Sequence, residues 1–219
     1  MNTIQFSKCT LSLLEDLLGV YPIFQSDKLD EWLNTSLQLP ELEKNMLERL
    51  VTLLEQNAFH WSEYDLALHF IGPLFSLINF TAVGRFNLFA QIKIEAEVVP
   101  GITLMGRVEE IIATGYRTPK VPFFVFTEYK KDTDPKGDPL GQCLSAMIVG
   151  QKLNEDPNPI YGCVVNGRNW RFLLLDHKSY IVSNDYSATD FQQAYRIAVI
   201  LQQLKQYCLD RTAHLILPY

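Results

Sequence analysis

The chain has 219 residues, of which 47% are hydrophobic and 20% charged; that is enough apolar material for one sizeable core and excludes a disordered polyelectrolyte. The net charge of −6 is unevenly spread: Met1 to Gly84 hold 4 basic and 11 acidic residues, Arg85 to Lys178 hold 12 and 11, and the remainder 3 and 3. Phosphate affinity is carried by Lys and Arg, so the N-terminal third is unsuited to non-specific nucleic-acid binding, whereas the middle of the chain is not.

The four cysteines, Cys9, Cys143, Cys163 and Cys208, form no CxxC pair, which points to reduced thiols in a cytoplasmic protein rather than a disulfide framework or a thiolate zinc site. No basic segment leads into an apolar leader, and no apolar run reaches bilayer length, so neither secretion nor membrane insertion is expected.

In chain order, Leu11, Leu14, Leu17 and Leu18 recur at helical spacing and stop at Gly19, a C-cap signal. Ser26 and Asp27 are capping candidates for a short second helix. A third follows Pro40, with Leu42, Met46, Leu50, Leu53 and Leu54 on one stripe. These acidic helices read as an extension over residues 1–58 that packs on the domain or on a second subunit, leaving a homodimer open. Ser62 and Glu63 open a further helix, which Pro73 should kink or end.

From Phe86 to Val98 apolar residues alternate with mostly polar ones, the pattern of a half-buried strand. Pro100 and Gly101 then turn the chain into a second strand, "ITLMGRVEEII", making a hairpin. A loop leads to "FFVFTEYKKD", an aromatic strand carrying Glu128 and Lys130 on one face. Packing explains that pair poorly, because a buried ion pair is usually no more stabilising than hydrophobic residues of similar volume. "LGQCLSAMIVGQKLN" has helical periodicity, and Asn166-Gly167 between apolar runs signals a second hairpin. A short strand, "SYIVS", and a final amphipathic helix complete the chain. Helices, three strands, a helix, three strands and a helix imply an α/β fold around one mixed sheet flanked by helices.

A hairpin, then a strand bearing Glu-x-Lys, then a helix, resembles the PD-(D/E)XK nuclease superfamily, whose fold is restriction-endonuclease-like. The resemblance covers residues 59–219, and the N-terminal helices resemble those of a bacterial group with this core. It implies that Glu109 and Glu128 are the main ligands of one or two Mg²⁺ or Mn²⁺ ions, with the Tyr129 carbonyl as a third and Glu63 on a second metal or its water. Lys130 would orient or deprotonate the attacking water and stabilise negative charge, and Gln142 would position water or phosphate. The family usually has Asp where this chain has Glu109, in "GRVEE"; the longer side chain still suits a metal but departs from the pattern. Glu110 should face the other side of the strand.

Each residue also has a plainer reading. Glu63 suits the helix dipole, Gln142 could meet a backbone group, and Glu109 could pair with Lys130 or Arg107. Lys131, Lys136 and Arg168 are candidate phosphate contacts or merely solvated charges. The histidines lack ligand spacing. Tyr161, Trp170, Phe172 and Tyr180 alternate on strands, which favours core packing over a stacking platform. Two functions follow: a metal-dependent nuclease hydrolysing nucleic-acid phosphodiesters, or a catalytically impaired relative that binds nucleic acid or protein.

Overall fold

A computed structural model describes residues 2–132 and 137–215. The chain begins with β1 (Asn2–Gln5), a 3-10 turn at Phe6–Lys8, α1 (Leu11–Leu18), β2 (Tyr21–Pro22), α2 (Asp27–Leu33) and α3 (Glu41–Asn57). It continues through α4 (Glu63–Leu66), a π turn at Ala67–Ile71, α5 (Gly72–Ile78), β3 (Asn87–Val99), β4 (Ile102–Thr114) and β5 (Lys120–Lys130). The last part comprises α6 (Pro139–Asn154), β6 (Ile160–Asn166), β7 (Asn169–Asp176), β8 (Ser179–Val182), β9 (Tyr186–Ser187) and α7 (Phe191–Arg211).

Local chemistry sets most boundaries. Ser26 caps α2 by accepting from the Leu29 amide, and Ser62 and Asp65 form a reciprocal capping box at α4. Gly19 ends α1 in the left-handed region. Pro73 does not end its helix: the π turn sits directly ahead of it and α5 runs on to Ile78, so the proline occupies an early position where its missing donor is tolerated.

The strands form one mixed sheet in the order β1-β4-β5-β6-β7-β8-β2, with β3 along β4 and β9 along β7. β3, β4 and β5 pair antiparallel, and α6 carries the chain over so that β6 lies parallel to β5. The sheet is sandwiched. One core joins α2, α3, α5 and α7 to it, including Trp32, Phe70, Trp170 and Phe172; the other joins α1 and α6, including Leu14, Phe126, Leu144 and Met147. Trp170, Phe172 and Tyr180 are buried as expected of core aromatics, all four cysteines are buried and free, and no described helix is long and apolar enough to cross a membrane.

Four expectations need correction. Residues 1–58 are more than a helical extension, because they add β1 and β2 to opposite ends of the sheet. Together with β9, these short strands raise the strand count above the six expected. On α3 the expected stripe holds only in part: Leu54 is buried and Leu50 packs against the core, but Leu42, Met46 and Leu53 are exposed and Leu47 and Val51 are buried instead. The β3 alternation also breaks. Leu88 packs on the first core, but Phe89, Ile92 and Ala96 pack on the second. The switch falls at Gln91, a non-glycine residue at φ 57.

β4 divides its partners. Ile102 to Met105 pair in parallel with β1, and Glu110 to Thr114 pair with β5. Gly106 to Glu109 therefore lie where the ends of β1 and β5 approach one another. Phe6 covers this fork, with its ring against Gly106; a Cβ there would lie 2.3 Å from the ring.

Candidate active site

β5 places Glu128 and Lys130 on one face through strand alternation, and their ends meet. Lys130 Nζ donates to Glu128 Oε1 at 2.6 Å, with the two side chains 12% and 8% exposed. Burial pushes the Glu128 carboxyl up to about 7; Lys130 opposes that shift, whereas Glu109 and Glu63 add to it. Burial works against the Lys130 charge, but Glu128, Glu63 and Glu109 outweigh it and hold the ammonium above its usual pKa. Lys130 is thus a cation at neutral pH.

The first turn of α6 brings Gln142 to the same place. Asp138 secures that turn: one carboxylate oxygen accepts from the Gly141 amide at 3.0 Å, and the other accepts from the Leu11 amide at 3.0 Å. A single side chain therefore caps α6 and ties it to the start of α1. Gly141 allows close approach, since a Cβ would lie 2.6 Å from the Cys9 carbonyl oxygen. The turn after β1 is thereby held beside Gln142.

These segments enclose a cleft of about 770 Å³. Lys130 and Lys131 line it from the end of β5, Gly137 and Gln142 from the approach to α6, and Ser62, Glu63 and Tyr64 from the start of α4. Ser7 and Lys8 complete it from the turn after β1. The structure thus brings Glu63, Lys130, Lys131 and Gln142 together as the sequence suggested, with Glu128 bonded to Lys130 behind the wall.

Other expected residues lie apart from this wall. Glu109 accepts a hydrogen bond from the Gln91 side-chain amide. Burial first, then the charges of Glu110 and Glu109, holds the Tyr129 hydroxyl above its usual pKa. Arg107 instead donates to the Gln91 carbonyl at 2.7 Å, so it is not the partner of Glu109. Arg168 pairs with Asp132 at 3.3 Å and stands over the Phe59 ring, 4.3 Å from its centroid. Gly167, at φ +56, lets this turn press against Asp132; a Cβ would come within 2.3 Å. Lys136 lies outside the described residues. Glu110 is buried opposite Thr127, with Oε2 unpartnered; burial first, then Glu109 and Glu128, pushes its carboxyl up to about 8.

Among the described residues no three His, Cys, Asp or Glu side chains form a group able to hold a metal, so these residues do not make a closed protein cage. Mg²⁺ commonly uses one or two carboxylates with waters and substrate phosphates. Glu128 feels the charges of Glu109 and Glu63, while Gln91 and Lys130 occupy an oxygen of Glu109 and of Glu128 respectively.

Lys8 and Tyr64, with Ser7, Ser62 and Gly137, are lining residues that sequence reasoning did not place in the site. Lys8 carries no local signal, because only the pairing of β1 with β4 brings it here. Tyr64 could have been found from its adjacency to Glu63 at the Ser62 cap. Neither a family model nor a curated protein matches this chain.

Proposed function

We propose that this protein is a metal-dependent phosphodiesterase acting on nucleic acid, a nuclease with a restriction-endonuclease-like core. The observation that carries the reading is the cleft in which Glu63, Lys130 and Gln142, from three separate segments, meet over the Glu128–Lys130 pair. The β3-β4 hairpin, β5 and α6 follow the element order of the resemblance, which supports the core assignment.

Hydrolysis needs a water oriented on phosphorus, stabilisation of the charge that develops there, and help for the leaving oxygen. Lys130, protonated and partly withdrawn from water, supplies a fixed positive charge where solvent screening is reduced. Gln142 can donate its amide hydrogens to a phosphate oxygen or hold the water, and Lys131 neutralises an adjacent phosphate. Glu128 and Glu109 would hold Mg²⁺ or Mn²⁺, with Glu63 and the Tyr129 carbonyl as further oxygen donors; when bound, the ion supplies Lewis-acid polarisation of the phosphoryl oxygen.

The competing reading, an impaired relative that binds without cleaving, draws on one observation: Glu109 is held by Gln91, and Glu128 by Lys130. Calorimetric titration of metal-free protein with Mn²⁺, with and without an oligonucleotide, separates the two. Saturable binding that is lost in Glu128→Gln and retained in Lys130→Ala is expected. Absence of binding in both conditions would overturn the metal-dependent reading in favour of the binding module.

A further inference from the structure

The cleft has a rim as well as a floor, and the rim bears on what enters it. Tyr64 lines the cleft yet keeps 75% of its surface exposed. Lys8 is exposed on the opposing turn, and Ser7 and Ser62 add hydroxyls beside these two residues. Among the described lining residues three lysines stand with one carboxylate, Glu63, and of the three Lys130 is paired with Glu128 behind them. An exposed aromatic ring next to clustered ammonium groups is the chemistry that holds a base by its face and its phosphates by charge.

We propose that the cleft takes single-stranded nucleic acid, with Tyr64 stacking on a base and Lys8 and Lys131 contacting the flanking phosphates. This deepens the phosphodiesterase reading, on which it rests, by naming the form of the substrate. Duplex binders gain affinity by neutralising many phosphates along a rigid helix, on the order of 6–10 contacts. The segment that supplies Lys8 and Tyr64 offers little cationic surface for this, with 4 basic residues against 11 acidic ones from Met1 to Gly84. A single strand needs fewer contacts. It can bend one or two phosphates to the lysines and turn a base onto Tyr64, and any base will serve because each has a π face.

The test is fluorescence anisotropy in EDTA, so that binding is read without cleavage, using a labelled oligonucleotide of about a dozen nucleotides as single-stranded DNA, single-stranded RNA and duplex DNA. Binding of a single strand about tenfold tighter than duplex, in either the DNA or the RNA arm, supports the proposal and identifies the sugar. Tyr64→Ala should weaken that binding roughly five- to 100-fold while Tyr64→Phe retains it. Lys8→Ala should weaken it across sequences and lower the salt slope by about one. Duplex binding equal to or tighter than single-strand binding would overturn the proposal, as would unchanged affinity in Tyr64→Ala. Failure of the two readings is distinguishable: single-strand binding without metal-dependent cleavage sinks only the hydrolytic reading, and cleavage confined to duplex sinks only this one.

Discussion

Glu110 and Glu128 lie one strand apart, and burial raises both carboxyls, to about 8 and about 7. Their environments differ: Glu128 has Lys130 at 2.6 Å, whereas Glu110 Oε2 has no partner. A carboxyl whose folded pKa lies above its unfolded value holds its proton better in the native state. Its stabilising contribution is therefore complete below the unfolded value, 4.5, and is lost as pH rises through the folded value. In metal-free protein, stability should fall between about pH 4.5 and about pH 8, with Glu128 contributing over the lower part of that window. Glu110→Gln should flatten this decline. Its effect on unfolding free energy should be at least about 1 kcal/mol more favourable at pH 8 than at pH 5, given roughly 1.4 kcal/mol per pKa unit. Urea unfolding at the two pH values measures this, and a pH-independent effect would contradict the burial argument.

At the scale of elements, α3 tests which stripe faces the core. Leu54 is fully buried, whereas Leu42 is 70% exposed. Leu54→Ala should cost about 2–5 kcal/mol, and Leu42→Ala about 0.5 kcal/mol or less, by denaturant unfolding. Equal costs would restore the stripe read from the sequence. That partial misreading is physical in origin: Leu54 and Leu50 do meet the core, but Leu42, Met46 and Leu53 obey helical spacing as well as the buried Leu47 and Val51 do, and spacing alone does not say which face meets α5 and α7. The same limit hid β1, β2 and β9, which are two to four residues long and owe their strand form to the partners they meet. It also hid the Gln91 kink, because the apolar residues Ala90 and Ile92 keep a period of two across it. Local chemistry was legible where it was sufficient. Gly19, Ser26, Ser62 and the Asn166-Gly167 hairpin act through their own backbone or side chain, and β5 could be read because alternation alone puts Glu128 beside Lys130.

At the scale of the molecule, the sheet does what no single element can. β1 and β5 approach along one side of β4, α6 is tied to α1 through Asp138, and the turns so held bring Lys8, Glu63, Lys130 and Gln142 around one cleft. Lys130 and Gln142 were readable from the pattern on β5 and α6; Lys8 depended on a strand pairing about a hundred residues away in sequence. The cleft would also reconcile an acidic chain with the proposed polyanionic substrate, because its described lining carries three lysines and one carboxylate while the net charge is −6.

The most direct test of the proposed activity is cleavage of labelled single-stranded and duplex DNA and RNA by purified protein with Mg²⁺ or Mn²⁺, beside EDTA controls and the Lys130→Ala and Glu128→Gln variants. Metal-dependent fragments from the wild type, formed at least about 100-fold more slowly by either variant, are expected. No cleavage of any substrate, or cleavage that persists at the wild-type rate in both variants, would contradict the assignment of this cleft as a phosphodiesterase site.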